Sequence, residues 1–393
     1  MKVQSDPPIH LTYCLNVHPG ESWAENFAAI RRHAAAVRRK VLAARGAQPF
    51  GLGLRLSAAA ACELARPDAL AGLKDYLRES GMYVFTINGF PYGAFHGTAV
   101  KADVYRPDWR ERARLDYTIS LANILAELLD ESVAGSISTV PCSYKPWIAG
   151  SQDVARMAAL IAKAAEHLEA IQRDKGRHIV LALEPEPDCW IENTDETIRF
   201  FEQALIPAAP AGLGEDALRR HVGVCLDASH LAVEFEDLAE SLDRLAAAGI
   251  RVAKIHLSSA LKAAGDGISQ LGQFVDPVYL HQVKVRSAAG QVSSYADLPD
   301  ALKDHQQRDG DEWRVHFHVP LFFEGLRGLS PTTDLFTPRF ADKVRSGAAG
   351  HLEIETYTFG VLPAPLRPAD VADAIAAEYE WVLGRLFPRP RGE

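Results

Sequence analysis

Four stretches of this 393-residue chain end an apolar run on a side chain able to hold a cation or move a proton. His178-Ile-Val-Leu-Ala-Leu-Glu184-Pro-Glu186 is β-branched and apolar up to its glutamate, the pattern of a strand covered on both faces that delivers its last side chain to a rim. Val222-Gly-Val-Cys-Leu-Asp227-Ala-Ser-His230, Val252-Ala-Lys-Ile-His256-Leu-Ser258 and His351-Leu-Glu353-Ile-Glu355-Thr-Tyr357 repeat the design. If these strands run parallel, Glu184, Asp227, His256 and Glu355 meet at one mouth. Three carboxylates and an imidazole there suit a divalent metal ion such as Mn²⁺, Mg²⁺, Co²⁺ or Zn²⁺, the oxygen donors favouring the harder ions. A single acid at a strand end is more often a helix cap or an ion-pair partner; four at successive positions make the metal site. Glu184 and Glu355 are also the candidate catalytic acid and base.

His316 and His318, two apart in Trp313-Arg-Val-His316-Phe-His318, share one face of a strand-like segment. They are alternative nitrogen ligands to His256, or else lining of a substrate pocket; the competing reading is an alternating surface strand. His230, three residues after Asp227, faces the same pocket from its loop unless it caps the next helix. Other candidate substrate-binding residues are Glu186, His18, Asn88, His96, Lys145 and Tyr357. With Asn16, Arg55, Phe90, Pro91, Tyr92, Thr139, Ser143, Tyr144 and Trp147 they interleave rings with polar groups, which suits a sugar-like ligand. Lys145 and Arg55 are the first candidates for an anionic group. The chain carries neither a glycine-rich phosphate loop nor a nucleophile elbow.

Strand-like stretches begin near Ile9 (through Val17), Gly51, Met82, Val133, His178, Val222, Arg251 and His351. Helical patterns fill the gaps: Ala24 to Leu42, Ala58 to Arg78 after the N-cap Ser57, Trp109 to Leu129, Val154 to Ile171, a helix opened by Glu236-Asp237, and Asp370 to Phe387. Eight strands with intervening helices predict an α/β protein, a (β/α)8 TIM barrel forming a single domain over 1–393; a doubly wound open sheet is the alternative. The gap before His351 is twice the length one βα unit needs. Residues 261–350 therefore read as an insertion between strands seven and eight, a hairpin plus a strand, serving as a lid or pocket wall. Residues 388–393 read as a flexible tail.

An apolar fraction of 48% and a charged fraction of 24% are those of an ordinary globular protein. A net charge of -9 and a pI near 5.9 argue against nucleic acid as partner. Five widely spaced cysteines read as free thiols in a reducing compartment. No run has the length of a membrane span and the start has no signal-peptide core, so the expected location is cytoplasmic.

The glutamate-proline ending one strand, the Asp-x-x-His after the next, and the histidine and glutamate of the last two make the chain resemble the xylose-isomerase-like TIM barrels, the sugar phosphate isomerase/epimerase superfamily, in the order of their metal ligands. It is also similar to the metabolite traffic proteins called EboE, through His10-Leu-Thr-Tyr-Cys-Leu-Asn-Val-His18-Pro-Gly-Glu-Ser-Trp, Val84-Phe-Thr-Ile-Asn-Gly-Phe-Pro-Tyr-Gly, Gly135-Ser-Ile-Ser-Thr-Val-Pro, Leu181-Ala-Leu-Glu-Pro-Glu-Pro and His351-Leu-Glu-Ile-Glu-Thr-Tyr-Thr. That resemblance implies a place in a gene cluster that makes or moves a secondary metabolite, without fixing a reaction. The expected function is a metal-dependent isomerase or epimerase of a small-molecule polyol or carbonyl metabolite. The alternatives are a metabolite-binding barrel without turnover and, less favoured by the acidic charge, an abasic-site metal endonuclease. Such barrels commonly form dimers and tetramers, which admits a homodimer.

Overall fold

A computed structural model describes residues 1–43, 45–94 and 101–388. An N-terminal strand, β1 (Lys2–Ser5), hairpins antiparallel onto β2 (Pro8–Tyr13). The chain then lays down β3 (Phe50–Arg55), β4 (Met82–Asn88), β5 (Gly135–Thr139), β6 (Ile179–Leu183), β7 (Val222–Asp227) and β8 (Val252–Leu257). Five short strands follow: β9 (Leu261–Ala264), β10 (Val283–Arg286), β11 (Val292–Tyr295), β12 (Glu312–Val315) and β13 (Leu329–Pro331). The last barrel strand is β14 (His351–Ile354).

The main sheet runs β1-β2-β14-β8-β7-β6-β5-β4-β3, and every pair after the first hairpin is parallel. A parallel bridge from Cys14 to Gly53 joins its two ends, so the sheet closes and the protein is a (β/α)8 barrel, not a doubly wound sheet. Strands β3, β5 to β8 and β14 are buried at every position, as their unbroken apolar runs require. Strand β2 stops at Tyr13 instead of reaching Val17, because Leu15–Val17 turns as a 3-10 helix. The helix expected over Ala58 to Arg78 is two helices, Ala58–Leu64 and Pro67–Ser80, since Pro67 can start a helix but cannot continue one.

Between β8 and β14 the insertion forms its own antiparallel sheet, ordered β11-β10-β12-β9-β13. It is more than the expected hairpin plus strand. It is also shorter than 261–350, because Pro338–Arg345 is a helix that packs on the neighbouring barrel helices Leu238–Ala247 and Val371–Leu386.

Glu378, on that last helix, locks the insertion to the barrel: it accepts from Leu321 N at 3.1 Å and Thr356 Oγ1 at 2.6 Å. Burial pushes its carboxyl up to about 7 from the ordinary 4.5. A raised folded-state pKa stabilises the fold fully below the unfolded value and loses that contribution as pH climbs through about 7. Glu378→Gln, which keeps the uncharged form at every pH, is expected to match the native chain near pH 4. It should exceed it by about 2–3 kcal/mol at pH 8 in urea unfolding. Parallel pH profiles for the two proteins would exclude this titration.

Candidate metal centre and its cavity

The carboxyl ends of β6, β7, β8 and β14 converge. Asp227 pairs with His256 in the β7–β8 register, and His256 pairs with Glu353 in the β8–β14 register. Glu184 and Glu355 prolong their ladders by one residue, donating from their backbone N–H to Thr139 O and Leu257 O. Candidate ligand atoms of Glu184, Asp227, His256 and Glu355 all lie within 4.8 Å of one another, and all four residues are buried.

Each side chain is aimed by a different neighbour. Asp227 Oδ1 accepts from Ser229 N at 2.7 Å, His230 N at 3.0 Å and Ser258 Oγ at 2.7 Å, so one oxygen caps the short helix Ala228–Val233 while Oδ2 is left with no hydrogen-bond partner. Asp227 is thus both the helix cap and a site residue. Glu355 Oε1 accepts from Asn16 Nδ2 at 2.8 Å and Asn88 Nδ2 at 3.1 Å, which turns Oε2 toward His256 Nδ1, 2.9 Å away. Glu184 Oε1 stands 2.8 Å from the same nitrogen, and its Oε2 is buried without a partner. On its other side His256 donates from Nε2 to Glu353 Oε2 at 3.0 Å.

Burial opposes charge on Asp227, but His230 and then the His256 contact pull its pKa well below 3.8. Burial likewise opposes protonation of His256, yet Cys225, Glu184 and Glu355 raise its pKa well above 6.5. Buried, partly unpartnered carboxylates crowded on one imidazole are costly unless a cation joins them. The residues therefore fit a divalent ion.

His230, His316 and His318 form a second buried group whose ring nitrogens also lie within 4.8 Å of one another. His230 donates from Nδ1 to Pro185 O at 2.9 Å and His318 from Nδ1 to Glu355 O at 2.7 Å. Gln282 uses its amide N–H groups on Pro187 O and Tyr105 Oη, so its Oε1 must accept from His316 Nδ1 at 2.8 Å. Every Nδ1 is thereby committed as a donor. The Nε2 lone pairs are what remains, that of His318 accepting from Ser229 Oγ at 2.9 Å and that of His316 buried without a partner. Burial, then His230 and His318, push His316 well below 6.5, and burial also lowers His318, which keeps both rings neutral. His316 and His318 follow the end of β12 rather than lying in an alternating surface strand, and they gather round His230 rather than standing in for His256.

Beside these groups lies a cavity lined by Glu184, Glu355 and the three histidines and by Phe90, Tyr105, Tyr279 and Tyr357. Asn88 and Glu186 line it as well. Burial pushes the Glu186 carboxyl up to about 7, with His230 and the Tyr105 hydroxyl, 2.7 Å away, pulling the other way. The insertion supplies Tyr279, Leu280, His316 and His318 to this lining.

Two expected substrate contacts fall elsewhere. Lys145 lies outside the cavity, its ammonium held by Glu192 and by Glu196 in the first turn of the helix Thr194–Phe200. His18 is also outside, stacked on His33 at 4.6 Å and bonded to Tyr13 Oη at 3.0 Å. His96 belongs to a segment outside the described residues. Arg55 is spent on Glu21 and on the carbonyls of Gly20 and Gly93. The sequence reading missed Glu353, Lys254, Gln282 and Tyr105. Two of these had a signal: Lys254 and Glu353 each precede a site residue by two positions in a strand, and so share its inward face.

The closed parallel barrel is the fold of the solved structures that the chain resembles. Among solved structures, the chain is similar to the probable 3-DHS dehydratase AsbF involved in petrobactin synthesis from Bacillus anthracis, with 13% identity over 98% of this chain and 100% of that one, TM-score 0.50. It is similar to the IolI protein with a binding zinc atom (10% identity, 98% and 100% covered, TM-score 0.50) and to L-ribulose 3-epimerase (12% identity, 96% and 94% covered, TM-score 0.50). No known family profile and no curated protein matches the chain. Among the described residues no helix is long and apolar enough to cross a membrane.

Proposed function

We propose that this protein is a divalent-metal-dependent isomerase or epimerase acting on a sugar, sugar phosphate or cyclitol-type metabolite, in a secondary-metabolite pathway of the EboE kind. One observation carries the reading: Glu184, Asp227, His256 and Glu355 converge beside a cavity that Glu184 and Glu355 line, and oxygens of Glu184 and Asp227 are buried with no hydrogen-bond partner. The relatives in fold that act on sugars, and the one that binds zinc, support it. When bound, the ion supplies Lewis acidity to a carbonyl oxygen and its neighbouring hydroxyl.

The remaining roles belong to the chain. Glu184 and Glu355 reach the cavity from β6 and β14, two strands apart from each other across β7 and β8, so they address a substrate from different sides and exchange the proton α to its carbonyl. Asn16 and Asn88 hold Glu355 in place for that exchange. His230, its Nδ1 tied to Pro185 O, presents Nε2 to a substrate hydroxyl. The insertion, as a wall of the cavity, keeps water from the reacting carbon.

Mass spectrometry of the purified chain is expected to find at least one divalent ion per chain, and Asp227→Asn to lose most of it. A protein that holds none and takes up neither Mn²⁺, Co²⁺ nor Zn²⁺ ends the metal reading. Incubation with a bound ion and a panel of ketoses and cyclitols in D₂O should place deuterium in the substrate. Binding without label would make the protein a non-catalytic metabolite carrier.

A further inference from the structure

Beneath His256, on the side away from the cavity, the barrel interior holds an ion pair. Lys254 and His256 alternate on β8, Glu353 faces them from β14, and all three are fully buried. Glu353 Oε2 accepts from His256 Nε2 at 3.0 Å and from Lys254 Nζ, which also reaches Ser138 Oγ at 3.4 Å. The carboxylate has its room because position 53 is glycine: a Cβ there would come within 1.8 Å of Glu353 Oε1.

Resting on the metal reading above, we infer that Glu353 is the positioning residue of His256: its carboxylate, pinned by Lys254, accepts the hydrogen bond from Nε2–H and leaves Nδ1 as the nitrogen presented to the ion.

Three observations carry this. A carboxylate can only accept, so Glu353 keeps a proton on Nε2, while the proton that Glu184 and Glu355 draw onto Nδ1 is the one an ion would displace. Turning the ring over would move both nitrogens away from their partners, losing the Glu353 bond on one side and the contacts to Glu184 and Glu355 on the other. A buried ion pair is not needed for stability, since an apolar pair of like volume generally does as well. Its service to the ring is the role the contacts show. Without Glu353 the imidazole spreads over two tautomers and two orientations, and the binding-competent fraction, hence the apparent affinity, drops.

The test uses the full-length double variant Lys254→Met/Glu353→Leu, which removes both charges together, avoids stranding one and leaves no acceptor for His256 Nε2–H, with Co²⁺ as probe in calorimetry and in its visible absorption bands. The expected result is Co²⁺ binding weaker by about 10–100-fold, with altered bands, at an unfolding midpoint close to the native one. Affinity within about twofold of native overturns the inference, whatever the midpoint, because a purely structural pair would move stability alone. Should the double variant not fold, the native protein decides: ¹⁵N spectra of the Zn²⁺-loaded chain should show the His256 proton on Nε2 and the shifted nitrogen at Nδ1. The reverse assignment overturns the inference and leaves the metal centre standing, whereas a His256 that Zn²⁺ does not perturb at all overturns both.

Discussion

Replacing Glu355 by glutamine is expected to cut the rate of solvent deuterium exchange into substrate by about 10²–10⁴-fold, or ~3–5.5 kcal/mol of barrel-assisted catalysis, while the protein stays folded. The contrast follows from how Glu355 is held. Its Oε1 accepts from Asn16 and Asn88, and a carboxamide oxygen accepts from both equally well. The amide nitrogen then falls where Oε2 was, against His256 Nδ1, which accepts from it once Nδ1 has lost its proton. Packing and hydrogen bonds survive. A carboxamide, however, cannot take up or release the substrate proton, and it weakens one of the four groups offered to the ion. Metal content and melting temperature measured beside the exchange rate separate these two losses. Exchange undiminished in a metal-loaded Glu355→Gln protein removes this residue from the chemistry and shifts the proton transfer to Glu184 or Glu186.

The largest expected effect on stability lies one layer deeper. Lys254→Met should destabilise the fold by about 3–5 kcal/mol, a substantial share of the ~5–15 kcal/mol that holds a typical domain together. Burial by itself disfavours a charged Glu353, yet Lys254, followed by His256, brings its carboxyl down to about 2. Burial also opposes charge on Lys254, and Glu353 chiefly overcomes it, raising the ammonium above its ordinary value. Each charge is there because of the other. With Lys254 gone, an anion remains in the barrel interior with only His256 to meet it. Glu353→Gln added to Lys254→Met removes that anion and should recover most of the loss in urea unfolding. A single variant costing under about 1 kcal/mol would mean that Glu353 is not held as an anion by this partner.

Much of this architecture was legible before any coordinates. Apolar runs ending in an acid or a histidine mark buried parallel strands, and closing such strands into a barrel necessarily gathers their ends. Glu184, Asp227, His256 and Glu355 meet for that reason alone: the strand period sets which way a side chain points, and adjacency in the sheet sets the distance between ends. The path of the insertion was less legible, because an antiparallel sheet of three- and four-residue strands leaves almost no period to detect.

What the amino-acid sequence determined by itself, then, was the barrel and the identity of its four rim residues, both of which follow from local periodicity. Tertiary structure decided the partners. It took Lys145 for Glu192 and Glu196 and Arg55 for the loop carbonyls, drew His316 and His318 from the insertion to His230, and set Glu353 and Lys254 under His256. These choices rest on contacts 35 to 99 positions apart, such as Arg55 with Gly20 and Lys254 with Glu353. The type of a charged or imidazole side chain says what it can bind, while the folded chain alone says which candidate stands within 3 Å of it.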